Sequence, residues 1–153
     1  RYSSNFLRIG RQLAALADLN DFDFRQSIFE LENAMGIVQH HDAITGTNKE
    51  YVKSDYIRRL SKGIDETWNV IKNSLYSLFK LPYLNIEFCP LLNISSCNAI
   101  ENKDNFYTII YNPLGREIEA WIRLPVKIEE KSFYKVKFKF SLIYKLTNKY
   151  SYL

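Results

Sequence analysis

The run Thr47–Leu78, TNKEYVKSDYIRRLSKGIDETWNVIKNSLYSL, decides the fold class of the first half of the chain. Val52, Tyr56, Leu60, Ile64, Trp68, Ile71, Leu75 and Leu78 recur at spacings of 3 and 4, the repeat that lines one face of an α-helix. No proline interrupts the run before Pro82, so the spacing predicts a single helix of roughly thirty residues, or about 45 Å at 1.5 Å rise per residue. Thr47 and Glu50 read as a capping box, in which hydroxyl and carboxylate each satisfy an orphan amide at the helix start.

Upstream, Phe24, Ile28, Leu31, Met35 and Val38 follow a 4-3-4-3 spacing and predict a second helix. Asn20-Asp21-Phe22-Asp23 offers its N-caps, and it runs out at Gln39-His40-His41-Asp42. Ala43-Ile44-Thr45-Gly46 then reads as a turn. Phe6, Leu7, Leu13, Leu16 and Leu19, with Arg8, Arg11 and Asp18 between them, predict an amphipathic helix over residues 4–19.

The pattern changes after Pro82. Residues 105–112 and 117–124 are strand-like, joined by Pro113-Leu114-Gly115-Arg116, and a third run spans about 133–146. Helices followed by strands predict an α+β chain. Residues 1–80 are expected to form a three-helix bundle, 81–102 a connecting loop, and 103–153 the beginning of an antiparallel β-sandwich domain, with the tail from about 131 either a divergent strand or a translated non-coding stretch.

Composition narrows the function classes. With 46% hydrophobic and 25% charged residues, 5 Gly and 4 Pro among 153 residues, collagen-like and disordered polymers are excluded. No window approaches the roughly 18–20 apolar residues of a membrane span. The net charge of +4 carries a basic tail in which Lys135, Lys137 and Lys139 alternate with Val136, Phe138 and Phe140. That is the pattern of a half-buried strand, and the tail lacks the Arg that phosphate-binding surfaces bring, so no nucleic-acid partner is expected. The chain starts at Arg1, without an initiator Met or an apolar leader, which reads as a fragment of a larger protein or as a processed product.

Two groups of residues carry chemistry. Cys89 and Cys97 bracket the sequon Asn93-Ile94-Ser95, which reads as a short disulfide loop displaying a glycan on Asn93, or as two thiols around a chance sequon. His40 and His41, the chain's 2 histidines, adjoin Asp42. Imidazole and carboxylate together are zinc donors, and the same tripeptide also suits a helix C-terminus, where the dipole favours a cation. Neighbouring helical side chains point about 100° apart, so one ion is not expected to take both imidazoles. A catalytic zinc takes about three protein ligands, and the remainder are expected from outside this chain.

Around these residues the chain resembles the class II α-mannosidases, the family 38 glycoside hydrolases. Met35 to Thr47, with Gln39-His40-His41-Asp42-Ala43 and Thr45-Gly46-Thr47, is similar to the family's Q-H-H-D-A-x-[ST]-G-T segment, and Val52, Asp55-Tyr56 and Arg59-Leu60 follow in order. Phe88 to Cys97, Ile109 to Arg116, Trp121 to Val126, and the opening Ser4-Asn5-Phe6-Leu7 with Gln12-Leu13 resemble the lysosomal branch. The likeness covers roughly residues 1–130.

The resemblance implies that residues 1–80 are the family's middle domain, that His41 is a ligand of a catalytic zinc ion, and that His40 and Asp42 bind mannose. It implies a retaining enzyme that removes terminal α-D-mannose from N-glycan oligosaccharides in the lysosome, through a covalent mannosyl-enzyme intermediate on an aspartate. The nucleophile, the acid/base aspartate and the other zinc ligands belong to a β/α barrel expected upstream of Arg1, so this chain is expected to hold no catalytic residue and no activity of its own. Further β domains of the same parent are expected after it. Vertebrate lysosomal relatives tie the first helix to the long one with a disulfide, and Gly10 and Thr67 occupy those two positions here. A non-catalytic fragment or glycan-binding module is the alternative.

Overall fold

The computed structural model describes residues 2–80, 85–94, 96–101, 103, 106–119 and 121. The chain divides into two units, Arg1–Asn85 and Ile86–Leu153. Among its described residues the first holds four helices: α1 (Tyr2–Leu16), α2 (Phe22–Ile37), the short α3 (His41–Thr45) and the 30-residue α4 (Glu50–Phe79). Three of them are the expected bundle. The expected turn after Asp42 is instead a helix of 5 residues.

Chain reversals explain where the helices stop. Asp18 takes a left-handed φ of 54°, a conformation that Asp tolerates better than most side chains. The Leu19 amide then reaches the Ala14 carbonyl at 2.9 Å and the Asp18 amide reaches Ala15 at 3.3 Å, which ends α1 three residues short of the expected boundary. Lys80, also at φ 54°, ends α4 through its amide on the Ser77 carbonyl.

The expected capping box does not form. A box on Thr47 requires the helix to begin directly after it, yet the first helical residue is Glu50, preceded by an extended Lys49 without a side-chain cap. Glu50 pairs with Lys53 at 2.7 Å instead, and the Thr47 hydroxyl is engaged elsewhere.

α4 is the common partner, packing along both α1 and α2. The core consists of Phe6, Leu7, Leu13 and Ala14 from α1, Leu31 and Ala34 from α2, and Val70, Ile71 and Leu75 from α4. Burying each large aliphatic side chain contributes about 1.5–3 kcal/mol. The buried face of α4 also includes Gly63, Thr67 and Ser74, whereas Val52, Tyr56, Leu60, Ile64 and Trp68 of the apolar stripe are only half-buried. Small residues hold the centre because the backbones come close. A Cβ on Gly63 would lie 2.6 Å from Leu31 Cα, and a Cβ on Gly10 would lie 2.6 Å from Thr67 Cγ2. Arg11–Glu32 ties α1 to α2, while Lys62–Glu30 at 3.2 Å and Ser27–Glu66 at 3.3 Å tie α2 to α4.

In the second unit, Cys89 and Cys97 are joined in a disulfide, with Cα atoms 5.1 Å apart. The loop that it closes carries a 3₁₀ turn, Leu92–Ile94, and exposes Asn93. Among the described residues no strand forms over the expected runs. Residues 106–112 and 117–119 lack ladder pairing, and Asn112 organises the bend between them by accepting from the Leu114 amide at 3.0 Å and donating to the Arg116 carbonyl at 2.8 Å. Tyr107 and Trp121 are 89% and 99% exposed. The third run at 133–146 and the tail from about 131 lie outside the described residues, as does Ser95 of the sequon.

Candidate functional site

Local backbone geometry brings three donor side chains together. α2 stops at Ile37, and its last turn is closed by the amides of Val38, Gln39 and His40 on the carbonyls of Ala34, Gly36 and Ile37. His40 then turns outward at φ −48°, ψ 136° and precedes α3, accepting the Ala43 and Ile44 amides on its carbonyl. The tripeptide therefore opens a helix and does not close one, contrary to the reading as a helix C-terminus.

This placement also overturns the expected divergence of the imidazoles. The 100° angle holds only when both residues are helical, and His40 is not. The two rings lie 4.3 Å apart between centroids, tilted by 44°. His40 Nε2 is 3.4 Å from Asp42 Oδ2, and His41 Nε2 is 3.5 Å from Asp42 Oδ1. One donor atom from each of the three residues falls within 4.8 Å of the others. Two imidazole nitrogens and a carboxylate oxygen suit a borderline cation such as Zn²⁺, so the residues fit the metal that the sequence suggests. The group is open to solvent: the side chains of His41, Asp42 and His40 are 83%, 47% and 45% exposed.

The following residues lock the turn. Gly46 is left-handed at φ 73°, which a glycine adopts without strain. Its amide reaches the Ala43 carbonyl at 3.3 Å, and the Thr47 amide reaches the Asp42 carbonyl at 3.0 Å. The chain thus folds back over Asp42. The Thr47 hydroxyl donates to Asp42 Oδ1 at 3.1 Å, and the Thr45 hydroxyl lies 2.7 Å from the His41 carbonyl and 2.9 Å from the Thr47 hydroxyl. Next to them the Asn48 side-chain oxygen is shielded from solvent with no hydrogen-bond partner among the described residues. Sequence reasoning gave Thr47 only a capping role and gave Thr45 and Asn48 none. The signal available was the hydroxyl pair flanking a glycine directly after the donors.

Two other polar features lie elsewhere on the bundle. On α4, Arg59 and Arg58 both bond Asp55 at 2.6 Å, and these hydrogen bonds, Arg59's foremost, hold the Asp55 carboxyl below its ordinary range. The same pairing raises Arg59. An open groove between α2 and α4 is lined by Arg58, Arg59, Lys62, Glu30 and Asn33, but its cations are already paired with Asp55 and Glu30. It is a seam between helices held by charge pairs.

Comparison with known proteins agrees with the resemblance. The family model of the alpha mannosidase middle domain matches residues 1–78. Lysosomal alpha-mannosidases of Bos taurus and Homo sapiens are each 39% identical to the chain over 130 and 132 residues, covering 82% of it. An alpha-mannosidase of Arabidopsis thaliana is 37% identical over 111 residues, 65% of the chain. The chain spans 13% of the length of the mammalian relatives and 11% of the plant one. No solved structure matches it.

Proposed function

Because the chain belongs to the α-mannosidase family through its middle domain, we propose that it is part of a zinc-dependent, retaining α-mannosidase of the lysosomal type. The parent hydrolyses terminal α-D-mannose from N-glycan oligosaccharides and works in the lysosome. Within it this segment supplies one zinc ligand, His41, and two mannose contacts, His40 and Asp42. The observation that carries this reading is the convergence of those three donors within 4.8 Å, inside the residues that match the family.

The position of each residue supports the part proposed for it. His41 is the most exposed of the three and is free to meet ligands contributed by another part of the parent. Zn²⁺ held there supplies a Lewis acid for sugar hydroxyls. Asp42 accepts hydrogen bonds from mannose hydroxyls through whichever carboxylate oxygen is left unengaged, and a charged acceptor makes those bonds stronger than neutral ones. His40, with its Nε2 3.4 Å from the Asp42 carboxylate, contacts the same sugar. The helices behind the turn hold these groups in place and need not touch substrate.

The remaining chemistry, a nucleophile and an acid/base carboxyl, belongs to the rest of the parent, so the 153-residue chain alone is inactive. Asn93, exposed in its disulfide loop, carries a glycan added along the secretory route. The test is His41→Ala in the parent. Turnover of an aryl α-mannoside should disappear while secretion stays normal. Near-wild-type turnover would sink the reading.

A further inference from the structure

We infer that Thr47 is the positioning residue of this site, its hydroxyl fixing the Asp42 carboxylate so that the aspartate and both histidines can serve one ion and one sugar; this rests on the α-mannosidase reading above.

Asp42 needs such a partner. Its side chain is 47% exposed and rotates freely unless held, and both neighbouring imidazoles depend on its orientation. Oδ1 faces His41 Nε2 at 3.5 Å while Oδ2 faces His40 Nε2 at 3.4 Å. One rotation of the carboxylate alters both distances. Among the described residues, the hydrogen bond that restrains it is the one from Thr47.

The backbone delivers Thr47 to that place. Gly46 at φ 73° reverses the chain, and the Thr47 amide bonds the carbonyl of Asp42 itself at 3.0 Å. Residue 47 is thereby anchored over residue 42 by main chain, and its side chain loses little further entropy in reaching Oδ1. A β-branched threonine is stiff at χ1, which limits the wander of the hydroxyl once the backbone is fixed.

Counting protons shows the direction of the network. The Thr45 and Thr47 hydroxyls have one proton each, and three acceptors lie within range: the His41 carbonyl, Asp42 Oδ1 and the oxygen of the other hydroxyl. An ionised carboxylate is the strongest acceptor of the three, so the Thr47 proton goes to Asp42. The Thr45 proton is shared between the His41 carbonyl and Thr47, and donation to Thr47 strengthens the bond that Thr47 makes. Thr45 therefore supports Thr47, and its removal costs less.

The experiment uses the full-length gene product carrying this chain, with Thr47→Val, Thr47→Ser, Thr45→Val and His41→Ala. Zinc affinity is measured by competition with a chelator, kcat and KM for an aryl α-mannoside separately, and the unfolding midpoint alongside. Thr47→Val keeps the shape and loses the donor. It should weaken zinc binding about 10–100-fold and raise KM, with the midpoint of the metal-free protein unchanged, as losses around a metal's ligands usually do. Thr47→Ser should recover to within about 3-fold of the parent, and Thr45→Val should fall between. A Thr47→Val protein that holds zinc and substrate like the parent overturns the proposal, as does a Thr47→Ser protein no better than Thr47→Val. Should Thr47→Val not fold, Thr47→Ala measured against Thr47→Ser separates the same two outcomes. His41→Ala distinguishes the two levels: if it retains zinc fully, the α-mannosidase reading fails. If it loses zinc while Thr47→Val does not, only the role of Thr47 falls.

Discussion

The seams of the bundle and the turn over residues 40–47 lie in the same unit but obey opposite rules. At the seams, Leu31 and Val70 are fully buried, Gly10 and Gly63 admit close helix approach, and little there faces solvent. In the turn no residue is buried, and what is ordered is ordered by hydrogen bonds between near neighbours. The lesson is a division of labour: volume fixes the seams, and donor–acceptor geometry fixes the turn. Substitutions at the seams should therefore move stability and leave the His40, His41 and Asp42 cluster alone, while substitutions in the turn should do the reverse.

The sharpest way to break that division is Leu31→Ala. It deletes a fully buried side chain at the point where α2 meets Gly63, and should cost about 2–5 kcal/mol in urea unfolding followed by circular dichroism. The zinc affinity proposed above should stay as it was in the folded fraction; a coupled loss would mean that seam and turn are one cooperative unit. In the opposite direction, Gly10→Cys with Thr67→Cys should form a bridge under oxidation, since a Cβ at residue 10 already meets the Thr67 side chain. Closing that long loop should add about 2–4 kcal/mol, read as the melting difference between oxidised and reduced protein. An unchanged melting temperature would show that α1 and α4 do not meet there.

Gly63→Ala tests the closest approach. Alanine favours the helix by about 1 kcal/mol, but its methyl would lie 2.6 Å from the Leu31 backbone, and overpacking of this kind costs about 1–3 kcal/mol. Net destabilisation is expected in thermal melts, and a gain would refute the packing of α2 on α4. Thr67→Val should stabilise by about 1 kcal/mol, because the buried Thr67 hydroxyl has no hydrogen-bond partner among the described residues and valine keeps the shape.

The smallest effect concerns Asp55. Its carboxyl is held below the ordinary range by Arg59 and Arg58, so the folded state binds the proton less readily than the unfolded chain does. That contribution is present above the unfolded carboxylate value and is lost as pH falls through the lowered folded one. Asp55→Asn should therefore be slightly less stable than the parent at neutral pH, with the difference vanishing in acid titrations. A constant difference would place its origin outside this ion pair.

Much of the first unit is legible in the sequence. Helices make their backbone hydrogen bonds within a few residues, so the 3- and 4-residue spacing of α4 and the break at Asn20-Asp21 are enough to locate them. The buried face of α4 is harder to read, because hydropathy rewards Leu60 and Trp68, whereas the geometry of close approach rewards Gly63, Thr67 and Ser74. The strand-like runs after residue 105 show the complementary limit. A strand exists only when a partner takes its amides and carbonyls, and alternation along one segment cannot name that partner.

By itself, then, the sequence determined the three long helices, the family, the donor types His40, His41 and Asp42, and the spacing that lets Cys89 meet Cys97. Only the tertiary structure decided that His40 lies outside the helix and turns its ring toward His41, that Thr47 closes over Asp42, and that α1 and α2 press on α4 at glycines. The physical reason is range. Residue type and periodicity report which positions are helical, but the turn depends on the φ and ψ that His40 and Gly46 adopt, and the gap between two helices depends on the volume of residues far away in sequence.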